Sequence, residues 1–374
     1  MKNIRKSNFE FMRITSMLFV VMWHVILHSN LYTSTTGTTK FFLEALILFG
    51  VVHINSFVIV TGYFQCDKKF KWSKFFHIFS ITWFYKAAIA TIFFVFLSIG
   101  ISNLEYFKEL MPLDFRDYWY INCYLILYLL MPFINKLINN LNQKDFRKML
   151  IVQFILFSIM PLISNQGIIA NNGYTIIQFI FMYFIGAYLR KYPVDNNIHF
   201  KNYSKNKKQL IFLFSFIFIF FINFILLNFS KTIMNMDCTL LNEFGSYLFN
   251  NIRMYSNPIV IIQSVLYFLF FSTLTFKNKI INFISKYTLE VYLIHENFYL
   301  LQYIYKLIKI DYTIKYRYYI VIIAVIATSL FIFFCCIIIG IIRNLMFSLI
   351  KKIGIFNGIK KQQRNILMKY KEVL

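Results

Sequence analysis

The chain is 374 residues long, 59% hydrophobic, 21% aromatic and only 14% charged, with a mean hydropathy of +0.61. So apolar a composition excludes a water-soluble domain of this length, and the net charge of +24 therefore does not indicate a soluble nucleic-acid binder. Five cysteines, Cys66, Cys123, Cys238, Cys335 and Cys336, have neither CxxC nor metal-ligand spacing, so they are assigned to apolar packing, and no disulfide framework or metal site is expected.

The first apolar stretch, FEFMRITSMLFVVMWHVILHSN, carries Arg13 and His24 eleven residues apart. In a helix that interval is about three turns, which puts both groups on one face about 16 Å apart along the axis. His28, one turn further, continues the stripe. A guanidinium and an imidazole inside a membrane segment are costly unless they face a protein interior or a watery cavity, so by default they mark a functional site. The apolar region is too long for a cleaved signal peptide, and no small-residue cleavage site follows it.

Apolar runs of about 20 residues, the length that spans a bilayer, predict helices at 9–31, 41–64, 75–101, 119–138, 149–165, 174–189, 209–228, 258–276, 287–306 and 318–342, the fifth and sixth being short. The expected fold is all-α, a polytopic membrane helical bundle of about ten transmembrane helices. Basic residues gather in alternate segments, at 68–74, 135–148, 190–208, 277–279 and the tail. The positive-inside rule then places both termini in the cytoplasm. A membrane domain at 1–342 is followed by a basic cytoplasmic tail at 343–374.

Outside, the loop between the third and fourth helices holds Glu105, Glu109, Asp114 and Asp117, and a long polar loop at 229–257 holds Asp237 and Glu243. The outer segment IKIDYTIKYR departs from the charge rule with Lys309, Lys315 and Arg317. Within the spans, Lys86 requires a carboxylate or carbonyl partner, and His295 and Glu296 fall inside the ninth helix. His53 and His77 read as ordinary helix residues.

Four local patterns stand in order along the chain: Arg13, ten residues, His24; the ending FVIVTGYF of the second helix around Thr61, Gly62 and Tyr63; the segment YWYINCYLILYLLMPFI that begins at Tyr118 and carries Trp119 and Tyr120; and SKYTLEVYLIH, ending at His295. Together they resemble the acyltransferase-3 family of integral membrane O-acyltransferases, which acylate glycans and other hydroxyl-bearing acceptors in the bacterial envelope. One departure is the KWSK of the third helix, where the family often has two arginines. Lys71 and Lys74 keep the charge but lack the bidentate fork of arginine. The resemblance implies a stand-alone membrane domain in the bacterial cytoplasmic membrane, without the extra soluble domain some members carry.

The implied reaction moves an acetyl or other acyl group from acyl-CoA, used as a substrate with no tightly bound cofactor, to a hydroxyl of an envelope or capsular polysaccharide or its precursor. An alcohol needs a base to become a nucleophile, and an imidazole changes protonation near neutrality. His24 is assigned that role, or that of a covalent acyl carrier; these two remain open. Arg13, near the cytoplasmic end, is assigned to the donor phosphates together with Lys71 and Lys74. His295 and Glu296 are further catalytic candidates, and His28, Trp119 and Tyr120 are placed on the acceptor side. A polysaccharide exporter or flippase, which needs no base at His24, is the alternative, with a glycan polymerase behind it.

Overall fold

The computed structural model describes residues 6–97, 102–111, 118–164 and 171–352. No strand occurs among them. Helices are the form in which apolar runs satisfy every backbone group internally when water is absent. The first, α1 (Ser7–His28), ends at Ser29 because Asn30 adopts a left-handed conformation with φ of 60°. Next come α2 (Gly37–Gly50) and α3 (His53–Gln65), two halves of one span, Gly37–Gln65. His53 closes the bend between them by donating from Nδ1 to the Gly50 carbonyl at 2.6 Å.

The remaining long elements are α4 (Trp72–Thr91), extended by a π-helical turn at Ile92–Phe96; α5 (Trp119–Asn140); α6 (Gln143–Phe154); α7 (Ile176–Lys191); α8 (Lys205–Met234); α9 (Thr239–Asn251); and α10 (Pro258–Thr273). They are followed by α11 (Thr288–His295), α12 (Phe298–Ile308) and α13 (Tyr318–Lys352). Among the described residues six helices are long and apolar enough to cross a membrane: α1, the α2–α3 span, α4 with its π turn, α5, α8 and α13.

The four other predicted spans are shorter or broken. The fifth is α6, which runs on through a π turn at Ile155–Ile159 into Met160–Ser164; the sixth and eighth are the 16-residue helices α7 and α10. The ninth is split at Glu296 and Asn297 into α11 and α12, so His295 and Glu296 stand at a helix break and not inside a continuous helix. The long polar loop is also corrected, because α8 reaches Met234 and α9 fills most of the rest. The last helix continues ten residues beyond the predicted 342.

Exposed aromatic and aliphatic side chains on α8, Phe214, Phe218, Phe221, Ile225 and Phe229, recur every three or four residues. That stripe has no protein neighbour to bury it and suits contact with lipid chains.

Two apolar cores meet along α1. Phe9 and Met12 belong to a core with α3, α5, α7 and α10, whereas Met17 to Ile26 belong to one with α4, α11 and α13. In the first core α3 and α7 cross with their backbones touching. A Cβ on Gly62 would lie 2.2 Å from the Tyr183 carbonyl oxygen, and one on Gly186 would lie 2.1 Å from that of Ile59. Small residues permit such approaches between membrane helices. Gly186→Val is therefore expected to lower stability by about 1–3 kcal/mol or more through overpacking against rigid backbone, read as a fall in the thermal midpoint of the detergent-solubilised protein.

Candidate active site

Helical spacing puts Arg13, Met17, Val20 and His24 on one face of α1, and the surroundings of that face change from end to end. At the Arg13 end lies a cavity of about 370 Å³ lined by Lys6, Glu10, Arg13, Tyr63, Asp67, Lys68, Lys74 and Arg190, among others. Arg13 is held by Glu10, with Nη1 3.3 and 3.4 Å from its carboxylate oxygens. Arg190 stands 3.6 Å from Asp67 and lies over the Tyr63 ring at 5.3 Å. Five cations against two carboxylates make this the natural seat for a polyanion.

Of the predicted lysines, Lys74 lines this cavity, while Lys71 is exposed and meets the Tyr128 hydroxyl through its backbone. Sequence reasoning assigned Arg190, Lys68 and Lys6 to topology alone. Their position at helix ends on the basic side was the available signal, and it does not distinguish a binding cation from an orienting one.

One to two turns along, Met17 and Val20 line an apolar cavity of about 110 Å³ together with Ile54, Phe57, Tyr120, Leu289 and Tyr292. Beyond it stands His24. Its Nδ1 is 3.0 Å from Nε2 of His295 and 2.7 Å from Oε2 of Glu296. His295 in turn places Nδ1 2.5 Å from the Val291 carbonyl. A carbonyl can only accept, so His295 Nδ1 carries the proton and its Nε2 is the acceptor. His24 Nδ1–H then donates to His295, and the Glu296 carboxylate stands against the same nitrogen as a charge. The lone pair of His24 is left on Nε2.

The helix break supplies this geometry. Asn297 caps α12, accepting from the amides of Tyr299 and Leu300 at 3.2 and 3.4 Å, and donates from Nδ2 to the Tyr118 hydroxyl at 3.0 Å. Tyr118 passes its own proton to the Leu293 carbonyl at 2.8 Å. The chain is thus pinned on both sides of Glu296. The ligand atoms of His24, His295 and Glu296 lie within 4.8 Å of one another, an arrangement able to gather a metal ion that no sequence spacing announced.

The other predicted residues sort cleanly. His28 is beside the centre, its ring 5.3 Å from His24 and 5.7 Å from Tyr305. Tyr120 lines the apolar cavity, and Trp119 joins an aromatic group with Tyr174 and Tyr255. Lys86 finds its carboxylate in Glu109 at 3.5 Å, while Asp114 and Asp117 lie outside the described residues. His53, read as ordinary, is buried between the Gly50 carbonyl and the Tyr255 hydroxyl, 3.0 Å from Nε2, with the Trp23 ring 5.7 Å away.

Residues 6–341 match the family model described as an acyltransferase domain, of the acyltransferase-3 type. No curated protein and no solved structure matches the chain. The match takes in both ends of the α1 face and the broken helix that meets it. The chain belongs to the acyltransferase-3 family and is a multi-pass membrane acyltransferase.

Proposed function

We propose that the protein takes an acyl group, acetyl in the simplest case, from acyl-CoA and transfers it to a hydroxyl of an envelope or capsular polysaccharide or its precursor. The observation that carries this reading is the order of environments along one face of α1: a basic cavity, an apolar cavity, then an imidazole with its tautomer set. The nucleotide phosphates occupy the Arg13 end, with Lys74 and Arg190 supplementing Arg13. The pantetheine arm follows Met17 and Val20, and the thioester reaches His24.

His24 Nε2 removes the proton of the acceptor hydroxyl as its oxygen attacks the thioester carbonyl. The carbon–sulfur bond breaks, and the proton passes to the departing thiolate. Glu296 stabilises the imidazolium formed on the way, and His295 keeps the ring oriented, the roles a general base requires of its neighbours. An exporter has no use for a tautomer-fixed imidazole. In this reading all ten apolar segments lie in the bacterial cytoplasmic membrane, both termini are cytoplasmic, and the His24 end faces outward.

The test uses detergent-solubilised full-length protein, labelled acetyl-CoA and extracted envelope glycan. Arg13→Ala is expected to raise the half-saturating acetyl-CoA concentration about tenfold, equivalent to one charge-assisted phosphate contact, with the acceptor dependence unchanged. An unaltered acetyl-CoA dependence would remove Arg13 from the donor site.

A further inference from the structure

Three helices begin at the end of the molecule where α1 finishes, and each brings an aromatic ring to one place. Trp119 opens α5, Tyr174 precedes α7 and Tyr255 precedes α10. The Trp119 and Tyr174 centroids are 4.6 Å apart, Tyr174 and Tyr255 5.1 Å, and Trp119 and Tyr255 6.2 Å with their planes inclined by only 22°.

The group is built to stay in place. The Tyr255 carbonyl accepts from Asn55 Nδ2 and Gln178 Nε2, both at 2.9 Å, and its hydroxyl meets His53 Nε2. The Tyr255 amide donates to the Asn172 carbonyl at 3.1 Å, tying the two loops together. Gly173, at φ of 90°, allows that approach, since a Cβ there would lie 2.6 Å from the Tyr255 Cβ.

Tyr255 is buried, yet Tyr174 is 41% exposed. An aromatic face held rigidly and left open is not explained by core packing. Tyr255 meets His53, whose ring lies 5.7 Å from that of Trp23, the neighbour of His24 on α1, so the open face stands at the His24 end of α1, with the half-buried Arg253 two residues before Tyr255.

We propose that Tyr174, Trp119 and Tyr255 form the acceptor subsite, a stacking platform for one sugar ring of the glycan. A pyranose has a face of C–H groups, which the negative face of an aromatic ring attracts, and a rim of hydroxyls, which a neighbouring donor such as Arg253 can meet. The platform fits that combination; a lipid tail would leave the rim groups unpaired, and a phosphate would leave the rings unused. The inference rests on the acyl-transfer reading above and names its acceptor side.

The experiment measures transfer from labelled acetyl-CoA by full-length protein in detergent. The acceptors are envelope glycan extracted from cells lacking this gene, offered separately as polymer and as the lipid-linked fraction. Tyr174→Ala is expected to raise the half-saturating acceptor concentration about tenfold and to leave that for acetyl-CoA unchanged, on whichever fraction the unmodified protein labels. Tyr174→Phe, which keeps the ring and loses only the hydroxyl, should raise the half-saturating acceptor concentration far less than alanine does, and Tyr174→Leu, which keeps bulk without a π face, should behave like alanine. An acceptor dependence unchanged in Tyr174→Ala, or restored by leucine, overturns the platform. Failure of the unmodified protein to label either fraction overturns the glycan-acylation reading itself.

Discussion

His24→Ala is expected to reduce acyl transfer by about 10²–10⁴-fold, the contribution of a positioned general base, while leaving the protein folded. The expectation follows from how His24 is held. Its Nδ1 is committed to His295 and faces Glu296, so the only basic atom aimed elsewhere is Nε2. Alanine removes that atom without introducing a charge, and the side chain lost is only 16% exposed within a well-packed helix. Initial rates with labelled acetyl-CoA, on protein of unchanged size-exclusion profile, provide the measurement. Glu296→Gln should fall between the two, since the amide keeps the shape of the group but cannot stabilise an imidazolium. Transfer at the unmodified rate in His24→Ala would reject His24 as the base.

Arg343→Met should cost about 3–5 kcal/mol of stability, the penalty for leaving one charge of a buried pair without its partner. Arg343 on α13 donates from Nη2 to Glu290 on α11 at 2.9 Å, and the two side chains are 8% and 4% exposed. The guanidinium also lies 5.5 Å from the centre of the Tyr85 ring and donates to Asn344 at 2.6 Å. Glu290 precedes His295 by five residues on the same short helix, so a carboxylate seeking solvent would drag the helix break at Glu296 with it. Removing both charges, as Arg343→Met with Glu290→Gln, should recover most of the loss, because neither charge is then stranded. Thermal midpoints of the four proteins in detergent complete a double-mutant cycle. Additive effects of the two substitutions would show that the pair does not act as a unit.

What the sequence made legible was local. Arg13 and His24 share a face because helical phase depends only on their separation, and the apolar runs show as helices because length and hydropathy are additive along the chain. The break after Glu296 was not legible, since LIHENFYLL reads as one apolar run. It is fixed by Asn297 as a cap and by Tyr118, which lies 179 residues earlier. His53 looked ordinary for the same reason: its partner Tyr255 is 202 residues away. Lys71 and Lys74, three residues apart in the motif, diverge because Lys71 is the extended residue before α4 whereas Lys74 sits in its first turn, where it lines the basic cavity. The aromatic platform was glimpsed in Trp119 alone, because its other two rings arrive from separate loops.

The interval from Arg13 to His24 acts as a gauge. Both residues are fixed to one α-helix, so the separation between the proposed donor anchor and the proposed base, about 16 Å along the axis, is set by the helix itself. On the proposed reading, a carrier is selected by the length of its arm before its acyl group is inspected. Short activated acyl compounds, though chemically competent, cannot hold the anchor and reach the imidazole at once.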